Sequence, residues 1–567
     1  MERVVDTNQL KGRVYALFVG NRMVQDVTLV IVRLPMMERS SRHGIMFNVL
    51  HALTNTSSSV SSRYGILFNV PQVLTNTSSN ASLAVMVLTN TSSNASLAVM
   101  VFIHGGEFYT GSGCTDLYGP EYLMEEDVVL VTLNYRLGVL GFLGVANSNV
   151  SINAGLKDQL AALKWVNENI GNFSGDRSKI TLFGQNAGGS SVEYHILSPA
   201  SKGLFQRAIS QSGNAVDPWA FVDSEVAKER ALRLGQALGT NATNVDELVQ
   251  LLQNTPGDEL VNKQLQAQSL QLANALVVLS STAEDEEIEE SYKRLYPFVP
   301  TLESSSQEGD IVFVTGKPLL VLLSGKYNVI PYITGVNTEE GKLYVMDVIA
   351  NETLWDEYEE TLERFVPNDL GYAWGSSQSV AVAKKIKKFY FNDRTLSNSS
   401  LSSLVDLVGD IMFSYPHHTS VLLHVLKGNA PVYVYGFGYD GRLGLTRDFY
   451  NFTFPGPAHM DELEYLFNGT RFSTEVEPNS TEAFIREKMV TMWTKFSKDG
   501  NPNPDSDTKW NPLTLLSHTY LDITSNPRVA LTSEDSETGR MNFWTAIYLP
   551  VWLTSFPNLA ALFLSIA

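Results

Sequence analysis

The feature of this sequence that most limits its possible folds is an alternation of apolar strands with amphipathic helices, which begins near residue 98. Parallel strands need long crossover connections, and helices usually supply them, so this alternation is typical of a largely parallel sheet covered by helices on both faces. Residues 156–170 carry apolar side chains at helical spacing, so they predict a helix packed on that sheet. The prediction is an α/β fold with strands at residues 98–103, 128–133, 180–183, 208–211 and 331–335.

Charge and cysteine content exclude several classes of function. Asp and Glu total 60 against 41 Lys and Arg, and the formal net charge of −19 repels the phosphates of nucleic acids. We therefore expect no nucleic-acid partner. The single cysteine, Cys114, allows neither an intrachain disulfide nor a zinc site made of cysteines. No metal and no cofactor is predicted.

Residues 1–93 do not follow the strand–helix alternation. Residues 73–86 recur without change as 87–100, and residues 42–58 recur loosely as 63–79. These units are too few, too short and too polar to form a solenoid. We interpret residues 1–93 as an atypical, poorly ordered repeat-containing region, residues 94–548 as the folded domain, and residues 549–567 as an apolar tail.

Possible N-glycosylation sites bear on localisation. The single cysteine by itself suggests a reducing compartment, and Asn-x-Ser/Thr triplets also arise by chance in polar loops. The polar start of the chain shows no signal peptide. The density of triplets nevertheless favours a secreted or extracellular membrane-associated glycoprotein. The acceptors are Asn55, Asn76, Asn80, Asn90, Asn94, Asn149, Asn172, Asn241, Asn351, Asn398, Asn451, Asn468 and Asn479.

The chain carries no charge after Arg540, and this stretch is long enough to span a bilayer. Pro550 and Pro557 interrupt it, however. We therefore favour a terminal helix that packs Trp544 and Tyr548 on the domain, followed by a loose tail, over a membrane anchor.

A glycine-rich turn is the first candidate for chemistry. A predicted strand ending at Phe183 runs into Gly184-Gln185-Asn186-Ala187-Gly188, which has the G-x-Z-x-G frame of a nucleophile elbow. Glycines on both sides of the central residue let a strand turn sharply into a helix and expose the middle side chain. Taken alone, the pattern is weak and also fits an ordinary strand-to-helix connection.

A second glycine segment, His104-Gly105-Gly106-Glu107-Phe108, follows the strand at 98–103. Its backbone N–H groups can point at an ester carbonyl oxygen on which negative charge develops. Glu107 stands where an HGGG-type segment has its last glycine. It retains its N–H group, but its carboxylate would oppose an oxyanion if it turned inward.

An acid and a histidine follow in the order nucleophile, acid, histidine. Glu340 lies after the strand at 331–335, and His459 lies in the predicted loop Gly456-Pro457-Ala458-His459. Each has an ordinary structural explanation by itself, since a glutamate before a glycine is usually on the surface and a lone loop histidine is usually structural. Their occurrence together in this order favours a catalytic arrangement.

These segments together resemble the type-B carboxylesterase, or cholinesterase, family, and in particular its insect carboxylesterase and juvenile-hormone-esterase-like members. The resemblance runs from about Asn94 to Tyr548. It implies an α/β-hydrolase fold with a central, mostly parallel sheet. The matching segments include VMVFIHGGEFYTGS, LNYRLGVLGFL, NAGLKDQLAALKWVNENIGNFSGD, ITLFGQNAGGSSV, FQRAISQSG, ITGVNTEEG, GPAHMDELEYLF and RMNFWTAIY.

The resemblance also implies roles for single residues. Arg136 and Asp176 resemble a structural ion pair of the family. The functional positions are Asn186, Glu340 and His459 as nucleophile position, acid and base, and Gly106, Glu107 and Ala187 as oxyanion donors, with Asn186 in place of the family's serine.

The chain departs from the family before Asn94. The family's opening β-region, with its disulfide-bearing segment and the tryptophan of the choline site, is not found there. A choline ester substrate is therefore unsupported, and we expect one side of the active-site gorge and the edge of the sheet to lack strands.

The asparagine at position 186 determines whether the chain is expected to hydrolyse esters. An asparagine amide nitrogen has a delocalised lone pair, and the side chain has no hydroxyl proton for His459 to remove. The favoured hypothesis is a catalytically silent homologue that binds a hydrophobic carboxylic ester or similar small ligand, or a protein partner in an adhesion role. One alternative is an active carboxylic ester hydrolase for small hydrophobic esters, in which the asparagine at position 186 is a single-residue change from serine. The other is deamidation of Asn186 to aspartate, which would supply a carboxylate nucleophile.

Overall fold

The structure of the protein is a computed structural model. It describes residues 13–15, 30–33, 84–88, 96–145, 150–240, 244–268, 296–303, 311–450, 454–472, 476–503, 509–515, 519–524, 528–531, 536–557 and 559–561. Most of residues 1–93, including most of the repeated segments, lie outside the described residues.

The described strands form one sheet. They are β1 (Arg13–Tyr15), β2 (Val30–Arg33), β3 (Ala84–Leu88), β4 (Leu97–Ile103), β5 (Val128–Leu133), β6 (Gly175–Gln185), β7 (Arg207–Gln211), β8 (Tyr332–Asn337), β9 (Val432–Phe437), β10 (Thr519–Ile523) and β11 (Arg528–Leu531).

Their order in the sheet is β1-β2-β3-β5-β4-β6-β7-β8-β9-β10-β11. Neighbours from β5 to β10 pair in parallel, whereas β1, β2, β3 and β11 pair antiparallel at the two edges. The prediction of an α/β fold with a mostly parallel sheet is confirmed, and each predicted strand is present. β6 is longer than predicted, because it begins at Gly175.

Helices connect the strands. They are α1 (Glu121–Met124), α2 (Gly138–Phe142), α3 (Ala154–Asn169), α4 (Ala187–Leu197), α5 (Ser224–Ala237), α6 (Val245–Asn254), α7 (Gly257–Lys263), α8 (Pro318–Ser324), α9 (Met346–Ala350), α10 (Leu354–Glu360), α11 (Ser377–Phe391), α12 (Leu401–Gly409), α13 (Tyr415–Lys427), α14 (Leu445–Tyr450), α15 (Thr481–Asp499) and α16 (Ser536–Ser555).

The central strands of the sheet are buried on both faces. Alternate residues of a strand point to opposite faces. In β4, Val99 belongs to a core cluster with Leu156 of α3, and Met100 belongs to a second cluster with Trp493 of α15. Every residue of β4 and β5 is buried. Such continuous apolar strands are typical of a sheet with helices on both sides.

The expectation of a sheet edge without strands is wrong. β2 pairs with β1 and β3, and β3 pairs with β5, so three strands extend the sheet beyond β5. The sequences of β2 and β3, VIVR and AVMVL, contain the β-branched and apolar residues that favour strands.

The predicted ion pair between Arg136 and Asp176 is also wrong. Arg136 binds Asp158 of α3 through two side-chain hydrogen bonds, Nε to Oδ2 at 2.7 Å and a terminal nitrogen to Oδ1 at 2.8 Å. This two-point geometry suits a guanidinium facing a carboxylate. Asp176 lies in β6 and instead accepts hydrogen bonds from Ser178.

The C-terminal helix α16 packs on the domain as predicted. Trp544 is fully buried and donates to the Tyr390 hydroxyl at 2.7 Å, and the Tyr548 hydroxyl donates to Asp369 at 2.8 Å. The helix continues through Pro550 to Ser555, and Trp552, Leu559 and Ala560 are buried, so these residues pack on the domain and do not belong to the loose tail expected from residue 549. Among the helices of the described residues, none has the length and apolar character needed to cross a membrane.

Candidate active site

Asn186 lies at the turn between β6 and α4. Its φ is 56° and ψ is −125°, and it is 2% exposed. The flanking glycines leave no room for a side chain, because a Cβ at Gly188 would lie 1.9 Å from the carbonyl oxygen of Ile103 and a Cβ at Gly184 would lie 2.6 Å from Gly188. The G-x-Z-x-G frame therefore forms the predicted sharp turn between strand and helix.

His459 and Glu340 form a buried pair. The Nδ1 atom of His459 lies 2.5 Å from Glu340 Oε2, and both side chains are 1% exposed. The other oxygen of Glu340 accepts hydrogen bonds from the Ser212 hydroxyl at 2.5 Å and the Asn337 N–H at 2.7 Å. When the imidazole is neutral and Nδ1 donates to Glu340, the second ring nitrogen of His459 faces Asn186 as an acceptor.

Several charges act on His459. Burial by itself lowers the pKa of His459, but the charge and hydrogen bond of Glu340, helped by Glu462 and Glu107, outweigh burial and raise this pKa above 6.5. Burial and the charge of Glu340 raise the pKa of Glu462 to about 7. The acidic surroundings therefore stabilise the imidazolium form of His459.

The predicted oxyanion donors converge on the side chain of Asn186. The N–H groups of Gly106 and Glu107 donate to Asn186 Oδ1 at 3.1 and 2.8 Å. The amide nitrogen of Asn186 lies 2.9 Å from the Nε2 atom of His459. Two backbone donors require the side-chain oxygen on their side, so the amide group must face the histidine. The carboxamide of Asn186 thus contacts two of the predicted oxyanion donors and the predicted base at once.

The third predicted donor, Ala187, is the fully buried first residue of α4. Gly106, Glu107 and Phe108 have φ values of 101°, 53° and 62°. A Cβ at Gly106 would lie 2.2 Å from the carbonyl oxygen of Thr110, so only glycine fits there. Glu107 adopts a backbone conformation that favours glycine, as its position in an HGGG-type segment implies.

The Glu107 carboxylate is 7% exposed and accepts a hydrogen bond from the Tyr344 hydroxyl at 2.7 Å. Burial raises the pKa of Glu107 to about 7, against the opposing effects of Tyr344 and His459. The residue can therefore be neutral or charged near neutral pH. Sequence reasoning did not find Tyr344, because nothing near position 344 marks a partner for Glu107.

Lys342 fixes the loop that carries His459, and sequence reasoning also missed it. This lysine is 1% exposed, and its Nζ donates to the carbonyl oxygens of Phe454, Pro455 and Gly456 at 2.9, 3.0 and 2.5 Å. Its position two residues after the predicted acid was the available signal. A buried lysine needs hydrogen-bond acceptors for its charged amino group, and here the backbone carbonyls of the loop that carries His459 supply them.

Gln185 is a further missed residue, since its amide nitrogen lies 2.9 Å from Nε2 of His459. Nε2 of a neutral imidazole has one lone pair, so the amide groups of Gln185 and Asn186 compete for it. Gln185 is adjacent to Asn186 in the elbow, and that adjacency was the only sequence signal.

A cluster of aromatic rings lies on one side of the histidine. The Phe413 ring lies 4.6 Å from the His459 ring, and the Tyr344 ring lies 5.7 Å from that of Phe413. Trp219 contacts Phe413 at 5.9 Å and Phe108 at 6.4 Å. Phe413 belongs to a π-helical segment, Asp410–Ser414, which the sequence pattern does not reveal and which occurs often at functional sites.

In the part of the chain that the structure describes, no group of three or more His, Cys, Asp or Glu side chains has the arrangement of a metal site.

Comparison with known proteins gives the family. The model of the carboxylesterase family matches residues 54–544. The chain belongs to the carboxylesterase family. This match begins earlier than residue 94, where the resemblance recognised in the sequence starts.

Relatives of this carboxylesterase-family chain come from insects and mammals. It is 33% identical to juvenile hormone esterase of Tribolium castaneum over 428 residues, which are 73% of this chain and 68% of the relative. It is 32% identical to carboxylic ester hydrolase of Bombus ignitus over 458 residues, 79% of this chain and 75% of the relative. It is also 32% identical to bile salt-activated lipase of Bos taurus over 462 residues, 79% and 71% of the two chains.

A solved structure has the same fold. The crystal structure of juvenile hormone esterase from Manduca sexta with OTFP covalently attached superposes with a TM-score of 0.71 at 27% identity, and the match covers 82% of this chain and 84% of that one. The family resemblance and the α/β-hydrolase fold are therefore confirmed.

Proposed function

We propose that this carboxylesterase-family protein is a ligand-binding homologue whose hydrolytic site is silenced at Asn186. The observation that carries the proposal is the position of the Asn186 carboxamide, which accepts hydrogen bonds from Gly106 and Glu107 and faces His459 at 2.9 Å. An ester carbonyl cannot enter the oxyanion hole until this side chain moves.

The silencing has a chemical component and a steric component. Removal of the nucleophile from a serine-hydrolase triad lowers kcat by about 10⁶ and leaves only the smaller acceleration that binding and the oxyanion hole supply. Here Asn186 Oδ1 fills that hole as well. Both components predict negligible esterase turnover.

The surroundings of the site support an apolar ligand. The Phe413 ring lies next to His459, the rings of Tyr344 and Trp219 lie against Phe413, and the Phe108 ring lies against Trp219. Aromatic walls with a few directed polar groups are typical of sites for small apolar ligands. The relatives named as esterases of juvenile hormone and other carboxylic esters favour a hydrophobic ester or a similar molecule as the ligand of this chain.

A second function, hydrolysis of small hydrophobic carboxylic esters, has one observation in its favour. The acid–base pair is fully assembled, because Glu340 holds His459 at 2.5 Å and is itself held by Ser212 and Asn337. A serine at position 186 would then complete a working triad.

Hydrolysis of p-nitrophenyl acetate tests both functions. The chain itself is compared with the variants Asn186→Ser and Asn186→Ser/His459→Ala. Activity in Asn186→Ser alone supports a silenced esterase with intact machinery. Turnover by the unchanged chain that disappears in His459→Ala would refute the silencing proposal. Binding of a hydrophobic ester to the unchanged chain, followed by quenching of tryptophan fluorescence, tests the ligand; without such binding, an adhesion role with a protein partner becomes the better proposal.

The proposal includes export as a glycoprotein. Among the Asn-x-Ser/Thr acceptors that the structure describes, Asn172, Asn351, Asn398 and Asn479 are exposed and therefore accessible to glycosylation. Expression in insect cells, followed by enzymatic removal of N-glycans, should shift the mass of the protein recovered from the medium. An unshifted mass would remove this support for a secretory route.

A further inference from the structure

The side chain of Asn186 lies in the site as a bound amide substrate would. An enzyme that hydrolyses amides holds the carbonyl oxygen against hydrogen-bond donors and places the leaving nitrogen next to a group that can protonate it. Asn186 Oδ1 lies 3.1 and 2.8 Å from the N–H groups of Gly106 and Glu107. Its amide nitrogen lies 2.9 Å from Nε2 of His459.

We infer that the site slowly hydrolyses its own Asn186 carboxamide with water as the nucleophile, which leaves an aspartate at position 186. The inference rests on the site geometry used for the proposed function, but it goes beyond that function because it assigns a modification. Gly106 is partly exposed, so solvent reaches the edge of the site.

The reaction balances with water as the only co-reactant. The water oxygen bonds to Cγ of Asn186 and gives a proton to Nε2 of His459, while Oδ1 takes up negative charge against the two N–H groups. The Cγ–Nδ2 bond then breaks, the proton passes from Nε2 to the leaving nitrogen, and ammonia departs. Glu340, 2.5 Å from Nδ1, stabilises the imidazolium that forms between the two steps.

An aspartate at position 186 can bind the same groups that now contact Asn186. One carboxylate oxygen accepts the hydrogen bonds that Oδ1 now accepts, and the other faces a protonated His459. Since the charges of Glu340, Glu462 and Glu107 favour the protonated imidazole, the new carboxylate gains an ion pair. His459 then no longer serves as a free base, so the modified site stays silent toward esters.

The chain contains a matched control, Asn153. It is also followed by alanine, has a φ of 52°, precedes a helix and is fully buried. Its Oδ1 accepts from the Thr301 N–H at 3.0 Å, and its Nδ2 donates to the Thr301 carbonyl and Glu303 Oε1, each at 2.8 Å. Ordinary deamidation begins with attack by the backbone nitrogen of the following residue, and that residue is alanine at both positions. A difference in deamidation rate between Asn186 and Asn153 therefore reflects the different groups around the two side chains.

The experiment follows deamidation of the full-length protein at neutral pH by mass spectrometry. Trypsin releases residues 180–202, in which Asn186 is the only asparagine, and fragmentation separates Asn186 from Gln185. We expect conversion at Asn186 to exceed that at Asn153 and to fall by about 10²-fold or more in His459→Ala, which is the usual contribution of general acid–base catalysis. In water enriched in heavy oxygen, the new carboxylate should carry one heavy atom.

The form of the product separates the two routes. Direct hydrolysis gives aspartate alone, whereas attack by the backbone nitrogen gives a cyclic imide that opens mainly to isoaspartate. Isoaspartate as the main product, equal rates in the parent and His459→Ala, or no conversion above that at Asn153 would each overturn the inference.

A second variant keeps the test decisive if His459→Ala unfolds. Glu340→Gln retains the imidazole and should also slow conversion at Asn186, while conversion at Asn153 stays unchanged. The mass readout is independent of ester turnover. Ester hydrolysis by the unchanged chain would refute the proposed silencing without affecting the deamidation result, and unmodified Asn186 would refute the deamidation without affecting the silencing.

Discussion

Asn153 and Asn186 share a local structure but have different surroundings. Both have positive φ, 52° and 56°, both precede a helix that begins with alanine, and both are buried. Hydrogen bonds of Asn153 connect the start of α3 to the segment around Thr301 and Glu303. Asn186 instead contacts two backbone N–H groups and an imidazole.

The difference shows how the same type of side chain links two segments of the fold in one place and contacts the predicted catalytic groups in another. The partners of Asn153 are a backbone peptide and a carboxylate that also binds Lys157 at 2.8 Å. Each buried polar group there has a counterpart, which is the usual requirement of a folded core. The partners of Asn186 are the predicted oxyanion donors and the predicted base, and under the proposed function the asparagine both satisfies these groups and excludes a substrate.

The largest expected effect concerns Glu340, the carboxylate that binds His459 beside Asn186, in comparison with Glu303, the carboxylate that binds Asn153. In the Asn186→Ser background, Glu340→Gln should lower kcat for p-nitrophenyl acetate by about 10⁴, because a neutral amide no longer orients and stabilises the imidazolium. Glu303→Gln, the matched change beside Asn153, should leave kcat unchanged and reduce only stability. A loss below tenfold in Glu340→Gln would show that Glu340 is not the acid of this site.

The second effect concerns stability. Asn153→Ala removes three buried hydrogen bonds and should lower the free energy of unfolding by about 3 kcal/mol, at about 1 kcal/mol for each bond. Asn186→Ser should lower it by only about 1 kcal/mol, since serine keeps a hydrogen bond to His459 and we expect water to enter beside the partly exposed Gly106 and bind the freed N–H groups. Urea unfolding measures both variants. Equal losses would contradict a mainly functional role for Asn186.

The third effect concerns Glu107, which has no counterpart beside Asn153. In the Asn186→Ser background, Glu107→Gly should raise kcat about tenfold, equivalent to about 1.4 kcal/mol, because it removes a carboxylate that opposes the oxyanion. Glycine also suits the φ of 53° at this position. Glu107→Asp is the control, since it keeps a carboxylate at this position and should not raise kcat. A lower kcat in Glu107→Gly would mean that Glu107 supports the hole instead.

The smallest effect is a pH dependence of stability that Glu107 should confer. Burial raises the pKa of Glu107 from 4.5 to about 7. Between these values the folded protein holds a proton that the unfolded chain has released, so the free energy of unfolding decreases as the pH rises through this window. Glu107→Gln should make the melting temperature less sensitive to pH between about 5 and about 7, whereas Asn153→Ala should not. An unchanged slope in Glu107→Gln would contradict the raised pKa.

Much of the fold was predictable from local sequence. The strands β4 and β5 are continuous apolar runs, which a sheet covered on both faces requires, and their predicted bounds agree with the structure within one residue. The turn at Asn186 was predictable for a similar reason, because Gly184 and Gly188 have no space for a Cβ. In both places the signal lies within a few residues of the element it determines.

The contacts between distant residues were not predictable in the same way. The assignment of Arg136 to Asp176 failed because a guanidinium binds whichever carboxylate the packing brings to the right angle, and helix α3 brings Asp158. The strands at the edge beyond β5 were missed because short runs such as VIVR lie in sequence without a regular pattern.

By itself, the sequence determined the parallel sheet, the glycine-framed turn, the order of Asn186, Glu340 and His459, and the absence of a serine at the elbow. The contacts of the Asn186 carboxamide with the N–H groups of Gly106 and Glu107 and with the ring of His459 are visible in the tertiary structure alone. The partners of that side chain lie 79, 80 and 273 residues away in the chain. Hydrogen bonds over such separations depend on how the strands and loops pack, and no local pattern encodes their geometry.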